Sequence, residues 1–273
     1  MTPIREQTVL VTGATDGLGT GVALDLARRG ATVLVHGRDA GRIARTVDEV
    51  KRASRGGAVR SYKADFASLA EVRAMAAEFV ANEPRLDALV NNAGIGTTVP
   101  GGPARQESAD GHELRFAVNY LAPYLLTRLL MPKLRSSAPA RVVNVSSAGQ
   151  MSLDLDDVML HRGYTGVRAY CQSKLAQILF TIDLADELRV ARVTVNALHP
   201  ATYMPTKIVE SPTSSLKEGV DATVRLVVEP ALDAVSGQYF DGTRETRANG
   251  QAYDKVARQK LRALSAALAG VDG

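Results

Sequence analysis

The sequence predicts a doubly wound α/β fold, a Rossmann-type parallel sheet flanked on both faces by helices. Three observations predict it. Short β-branched runs alternate with longer segments of helical period up to about residue 200, the runs are apolar on both faces, and no repeat or linker separates them. In such sheets ligands bind outside the carboxyl ends of the strands, so the chemistry is expected there.

The first run, TVLVTG (8–13), leads into a helix over 17–29. ATVLVHG (31–37) precedes a helix at 40–53, AVRSYKAD (58–65) one at 68–82, and LDALVNNAG (86–94) a long helical stretch at 108–135. ARVVNVSS (140–147) and ARVTVNALHP (191–200) bracket a helix at 168–189. Beyond residue 200, Pro205, Pro212 and a Ser/Thr cluster loosen the pattern, which predicts a mobile flap over 201–218, running into a helix near 215–228. GQYF (237–240) predicts one short edge strand and AYDKVARQKLRALSAAL (252–268) a closing amphipathic helix. Residues 1–273 are read as one domain.

Composition narrows the function classes. A chain of 273 residues, 45% apolar, can bury a full core. The charge of +4 comes from dispersed Arg rather than basic runs, which argues against a nucleic-acid partner. A single cysteine, Cys171, excludes an intramolecular disulfide and fits a reducing cytosol. MTPIREQTVLVTG leaves no room for a signal peptide and no later run is long enough to span a bilayer, so a soluble cytoplasmic protein is expected. His36, His112, His161 and His199 have no metal-binding spacing, and the G-x-S-x-G elbow of serine hydrolases is absent.

The strand ends carry more. T-G-A-T-D-G-L-G (12–19) places Gly13, Gly17 and Gly19 where a tight turn brings backbone N–H groups against a diphosphate at a helix N-terminus, with Thr15, Asp16 and Leu18 in the same turn. The second strand ends in Val35-His36-Gly37-Arg38, without the carboxylate that would bond the ribose of NAD. Arg38 instead suits a 2′-phosphate, so NADP is preferred, unless Asp39 pairs with Arg38.

In AYCQSKLAQIL (169–179), Tyr170 and Lys174 share a helical face beside the apolar seam Leu175, Ile178, Leu179 and Ile182. Such a pair arises by chance roughly once in four sequences of this composition. A second one does occur, Tyr203 and Lys207 in YMPTK, where Pro205 prevents a shared helical face. The context of each pair has to decide.

That context resembles the classical short-chain dehydrogenase/reductase family over nearly the whole chain: TGxxxGxG at 12–19, NNAG at 91–94, Asn119, Ser147 after VVNVS, then Tyr170 with Lys174. VVNVSS, YCQSKLAQILF and the long serine-to-tyrosine interval are most similar to its retinol-dehydrogenase-like branch. The resemblance implies reversible hydride transfer between NADP(H) and a small-molecule carbonyl or alcohol. It implies that Tyr170 moves the proton, Ser147 polarises the substrate oxygen, and Asn119 holds a water linking Lys174 to solvent. By the same resemblance Asp65 and Phe66 border the adenine, Asn92, Ala93 and Gly94 line the cofactor channel, and Pro200 sits by the nicotinamide. Many relatives pair through the helix holding the tyrosine, so a homo-oligomer is open.

Three departures stand out: His-Pro-Ala with Ala201 where the family has Pro-Gly, Asp16 at an often basic position, and the long 148–169 interval, which could reshape the substrate entrance. A tyrosine near 10 needs about 4 kcal/mol to reach neutrality, and an ammonium about 4 Å away at an effective dielectric near 20 supplies roughly that. Lys174 is expected in that place. Gln150, Met151, Tyr203 and the segment around Ile95 are candidate substrate contacts, and their largely apolar character suggests a hydrophobic carbonyl compound. Two alternatives keep the same fold: a non-catalytic NADP-sensing protein, and a carbon–carbon double-bond reductase.

Overall fold

The computed structural model describes residues 2–99, 102, 104–202, 204 and 214–272. Strands β1 (Thr8–Val11), β2 (Thr32–Gly37), β3 (Val59–Lys63), β4 (Ala88–Asn91), β5 (Ala140–Val145), β6 (Val193–His199), β7 (Tyr239–Asp241) and β8 (Arg244–Thr246) form one sheet. Its order is β3-β2-β1-β4-β5-β6-β7-β8, parallel except for β8, which runs antiparallel to β7. Strand order reverses between β1 and β4, and a crevice at such a switch point is where a doubly wound sheet receives a ligand.

The two-residue period of the strands sorts the core into two layers. Leu10, Leu34, Leu89, Val142 and Val195 face the cluster built with α3 (Leu69–Asn82), α5 (Ala122–Ser136), α6 (Gly166–Glu187) and α8 (Lys255–Ala269). Val9, Val11, Val33, Val35, Val90 and Val143 face the cluster built with α1 (Gly17–Arg28), α2 (Ala40–Ala53) and α7 (Leu216–Val228). Strands β1, β4 and β5 are buried at every position, which is why they carry apolar residues on both faces.

Side-chain caps start the helices where the sequence has Asp, Ser or Thr. Asp16, Asp39, Ser68 and Thr165 accept backbone N–H groups at the heads of α1, α2, α3 and α6. Ser215 and Glu218 form a capping box on α7. Residues 216–218 of the expected flap therefore belong to a helix, and Tyr203, Pro205, Lys207 and Pro212 lie outside the described residues.

Two further boundaries differ from expectation. The helix anticipated from residue 108 starts at α4 (Leu114–Phe116), because residues 107–113 close into a turn held by Ser108 N donating to His112 O at 2.8 Å. Glu113 then caps it, its carboxylate accepting from Phe116 N at 2.7 Å. A π-helical turn, Ala117–Leu121, joins α4 to α5. The short edge at 237–240 proves to be a β7–β8 hairpin. Its second strand, Arg-Glu-Thr, has no apolar alternation to betray it. Among the described residues no helix is long and apolar enough to cross a membrane.

Candidate active site

The turn between β1 and α1 is shaped by what its glycines lack. Gly13 and Gly17 have φ of +62° and +47°, the left-handed region that favours glycine. A Cβ on Gly13 would stand 2.7 Å from Ala93 Cα, and one on Gly19 would stand 2.3 Å from Gly13 O and 2.5 Å from Asn92 Nδ2. The turn is stitched to the end of β4: Thr12 Oγ1 accepts from Asn92 N (2.9 Å) and Ala93 N (3.0 Å). Asn92 Nδ2 in turn donates to Thr12 O (2.9 Å) and Gly13 O (3.1 Å). The result is a side-chain-free cradle at the N-terminus of a twelve-residue helix, which fits a diphosphate.

Within the turn, Leu18 is buried in the core and Thr15 places its methyl carbon 2.5 Å from where a Cβ on Gly37 would be. Both are thus packing groups, leaving their backbone for a ligand. Asp16 caps α1 through Gly17 N at 2.9 Å and pairs with Arg42 at 3.0 Å.

A residue the sequence reading passed over, His36, fastens this cradle. Its Nδ1 accepts from Gly13 N (3.1 Å), and its Nε2 lies 3.1 Å from Ala64 O. Those partners require a neutral ring with the proton on Nε2. Burial pushes the imidazole down to about 4, against opposing contributions from the Ala64 bond and Asp65. The ring stacks on Phe66 at 4.4 Å. Phe66 is itself buried, so its ring belongs to the core and only its backbone can border an adenine.

At the end of β2, Arg38 is 69% exposed and its nearest carboxylate is Asp65, at 3.8 Å. Asp39 is occupied as the cap of α2, accepting from Arg42 N at 2.8 Å. The expected competition from Asp39 is not seen. The guanidinium remains largely solvated beside the cradle.

Tyr170 and Lys174 come together on α6 with Ser147, which lies just past β5. Ser147 Oγ accepts from Gly149 N at 3.0 Å, and it converges with the Tyr170 ring at that glycine, where a Cβ would stand 3.5 Å from Ser147 Oγ and 3.8 Å from Tyr170 Cε1. Lys174 is buried, and its Nζ donates to Val145 O (2.8 Å) and Gln177 Oε1 (3.2 Å) while lying 5.9 Å from the centre of the Tyr170 ring. Burial pushes the lysine down to about 8. Burial also pushes the Tyr170 phenol up, opposed by the neighbouring Ser147 hydroxyl. The amino group thus has two acceptors of its own, Val145 O and Gln177 Oε1, in addition to the Tyr170 ring beside it.

Asn119 lies in the π-helical turn, fully buried. Its Oδ1 accepts from Ile95 N (2.8 Å), and its Nδ2 donates to Ile95 O (3.1 Å) and Ser173 Oγ (2.9 Å). A Cβ on Gly94 would stand 3.2 Å from Asn119 Oδ1 and 3.5 Å from Lys174 Nζ, so glycine there keeps open the space between the two.

Of the expected substrate contacts, Met151 is exposed and Ile95 is partly buried against the core. Gln150 is engaged elsewhere: its Nε2 donates to Ser147 O (3.1 Å) and its Oε1 accepts from Asn249 N (2.8 Å). Tyr239 Oη also donates to Ser147 O, at 3.0 Å. Gln150 thus braces the serine loop rather than facing the cleft. Tyr203 lies outside the described residues, and Pro200 is buried where β6 ends.

Another group without a sequence signal is Arg115, buried on α4. It donates to Gly96 O (2.8 Å), Thr97 O (2.6 Å) and Tyr164 Oη (2.6 Å), tying the segment after β4 to the 148–169 interval.

A model of the short chain dehydrogenase family matches residues 7–216. Human retinol dehydrogenase 13 is 36% identical, over 98% of this chain and 86% of that protein. Among solved structures, a protein from Mycobacterium paratuberculosis is 29% identical with a TM-score of 0.76, covering 98% of this chain and 94% of that one. The RhlG/NADP active-site complex of Pseudomonas aeruginosa is 26% identical with a TM-score of 0.71, covering 88% of this chain and 97% of that one.

Proposed function

This chain belongs to the short-chain dehydrogenase family, and on that premise we propose that it is an NADP(H)-dependent oxidoreductase interconverting a hydrophobic carbonyl compound and its alcohol. The observation that carries the proposal is the convergence of Ser147 and Tyr170 at Gly149 beside buried Lys174, on the same side of the sheet end as the glycine cradle. When bound, the nicotinamide supplies or accepts the hydride. Everything else falls to the chain's own groups.

In reduction Ser147 Oγ donates to the substrate oxygen and Tyr170 Oη delivers the proton that completes the alcohol. A phenol pushed up by burial keeps that proton at neutral pH, as a donor must. Its loss leaves a phenolate, which the Lys174 ammonium, with Nζ 5.9 Å from the centre of the Tyr170 ring, stabilises. Re-protonation then runs through Lys174 and the space beside Gly94 and Asn119. The cofactor is held by the backbone of residues 13–19 and 92–94, and Arg38 favours the 2′-phosphate. A retinol dehydrogenase as relative supports an alcohol or aldehyde on an apolar body, which agrees with exposed Met151 after β5 and half-buried Ile95 after β4.

Tyr170→Phe tests this directly. It should bind NADPH as the wild type does and lose turnover by about a thousandfold, the scale of general-acid catalysis. Undiminished turnover would refute the role of Tyr170.

A further inference from the structure

Gln177 stands one helical turn beyond Lys174 on α6, 1% exposed, among the buried residues Leu175, Ala176, Ile178 and Leu179. Its side chain makes one hydrogen bond among the described residues, accepting from Lys174 Nζ at 3.2 Å. Its Nε2 is buried with no protein partner. A buried donor left unmet costs about 1–3 kcal/mol, and a methionine would fill the same interior without that cost. Packing does not account for an amide at this position. What its oxygen holds does.

The orientation of the amide follows from the same contact. With oxygen and nitrogen exchanged, two donors would face each other at 3.2 Å, so Lys174 itself selects the rotamer that presents Oε1. The groups around the amino nitrogen are otherwise neutral. Val145 O comes from β5, Gly94 from the end of β4, Asn119 from the π-helical turn, and Tyr170 from the same helix. Burial alone accounts for the lowered lysine, with no carboxylate acting on it.

We propose that Gln177 is a positioning residue that fixes the rotation of the Lys174 amino group and so directs its one exchangeable position toward the space beside Gly94. The proposal rests on the Tyr170–Lys174 chemistry given above. A tetrahedral nitrogen has four directions: one is the bond to Cε, and Val145 O and Gln177 Oε1 take two more. Both of those bonds survive when the ammonium becomes an amine, since an amine still has two N–H donors. The fourth direction alone alternates between N–H and lone pair. With Oε1 gone, the group rotates freely among its staggered wells and the ammonium loses one of its two acceptors.

Two variants test this, Gln177→Met and Gln177→Glu, each in the full chain. The first readout needs no turnover: a tyrosinate absorbance titration, taken as the difference between each protein and the same protein carrying Tyr170→Phe. The second is the pH profile of kcat/KM for alcohol oxidation, and the third is thermal melting. Gln177→Met should move the Tyr170 titration and the rising limb of the profile about one pH unit upward, the scale of a hydrogen bond to a charged group. It should melt no lower than the wild type. Gln177→Glu keeps the acceptor and adds a charge beside the ammonium, so it should move both the other way.

A Gln177→Met protein with the wild-type titration would overturn the proposal, as would a rate loss equal at every pH combined with a lower melting temperature. If Gln177→Met does not fold, a Gln177→Glu titration identical to the wild type would overturn it. Failure of the wild type to turn over any substrate would sink the enzymatic reading, while the tyrosinate titration would still decide the role of Gln177.

Discussion

Mild acid should weaken this fold through one buried histidine. His36 is held down to about 4, first by burial, although the bond to Ala64 O and the nearby Asp65 favour its charged form. In the unfolded chain the same ring takes up a proton near 6.5. Between those values the unfolded state binds more protons than the folded one, so stability rises with pH through the window. It is complete above about 6.5 and is lost as the pH falls toward 4. The full gap corresponds to about 3 kcal/mol, and about 2 kcal/mol of it falls between about pH 7 and about pH 5.

A proton on Nδ1 would also remove the acceptor of Gly13 N, so the loosening begins at the cofactor cradle. The assay is urea unfolding at both pH values for the wild type and for His36→Asn, whose amide oxygen can replace the Nδ1 acceptor and cannot titrate. The variant gives up the stack on Phe66 and should be weaker at neutral pH, yet its loss on acidification should be smaller than the wild type's by about 2 kcal/mol. His199, also pushed down by burial, and the carboxylates contribute equally to both proteins and cancel in the comparison. Equal losses in the two proteins would refute the reasoning.

Two further outcomes follow from the cofactor cradle. Gly19→Ala puts a methyl 2.3 Å from Gly13 O and should weaken NADPH binding by about ten- to a hundredfold, whereas Gly250→Ala, with nothing within 4 Å of its Cβ, should leave it unchanged; fluorescence titration of NADPH measures both. Arg38→Ala should cost NADPH about three- to tenfold in affinity and leave NADH within twofold, because the guanidinium is mostly solvated and its bond to a phosphate is correspondingly modest; paired dissociation constants measure it.

What the sequence made legible was what has a period or a sharp residue preference. The alternation of strands and helices follows from burial on both faces of β1, β4 and β5. The glycines at 13, 17 and 19 answer to left-handed backbone and to contacts below 3 Å. The spacing of Tyr170 and Lys174 placed them on one face of α6. Spacing says nothing of rotamers, however, nor of the two acceptors, Val145 O and Gln177 Oε1, that hold the amino group of Lys174. His36 escaped for a related reason. A lone histidine in an apolar strand has no pattern, and its bonds to Gly13 N and Ala64 O link residues 23 and 28 positions away. Sequence alone offers Gln150 as a substrate contact and leaves open a pairing of Asp39 with Arg38. Each instead satisfies backbone N–H groups or a carbonyl that only the folded loop presents.

Hydride transfer to a carbonyl carbon, with Tyr170 supplying the proton, is the proposed chemistry of this chain. The most direct measurement incubates the protein with NADPH deuterated at the transferable position of the nicotinamide ring and a panel of hydrophobic aldehydes and ketones, followed by mass analysis of the alcohols. Deuterium is expected on the carbinol carbon of at least one product with the wild type, and none above background with Tyr170→Phe. No labelled alcohol from any member of the panel, with NADPH shown to be bound, would contradict it.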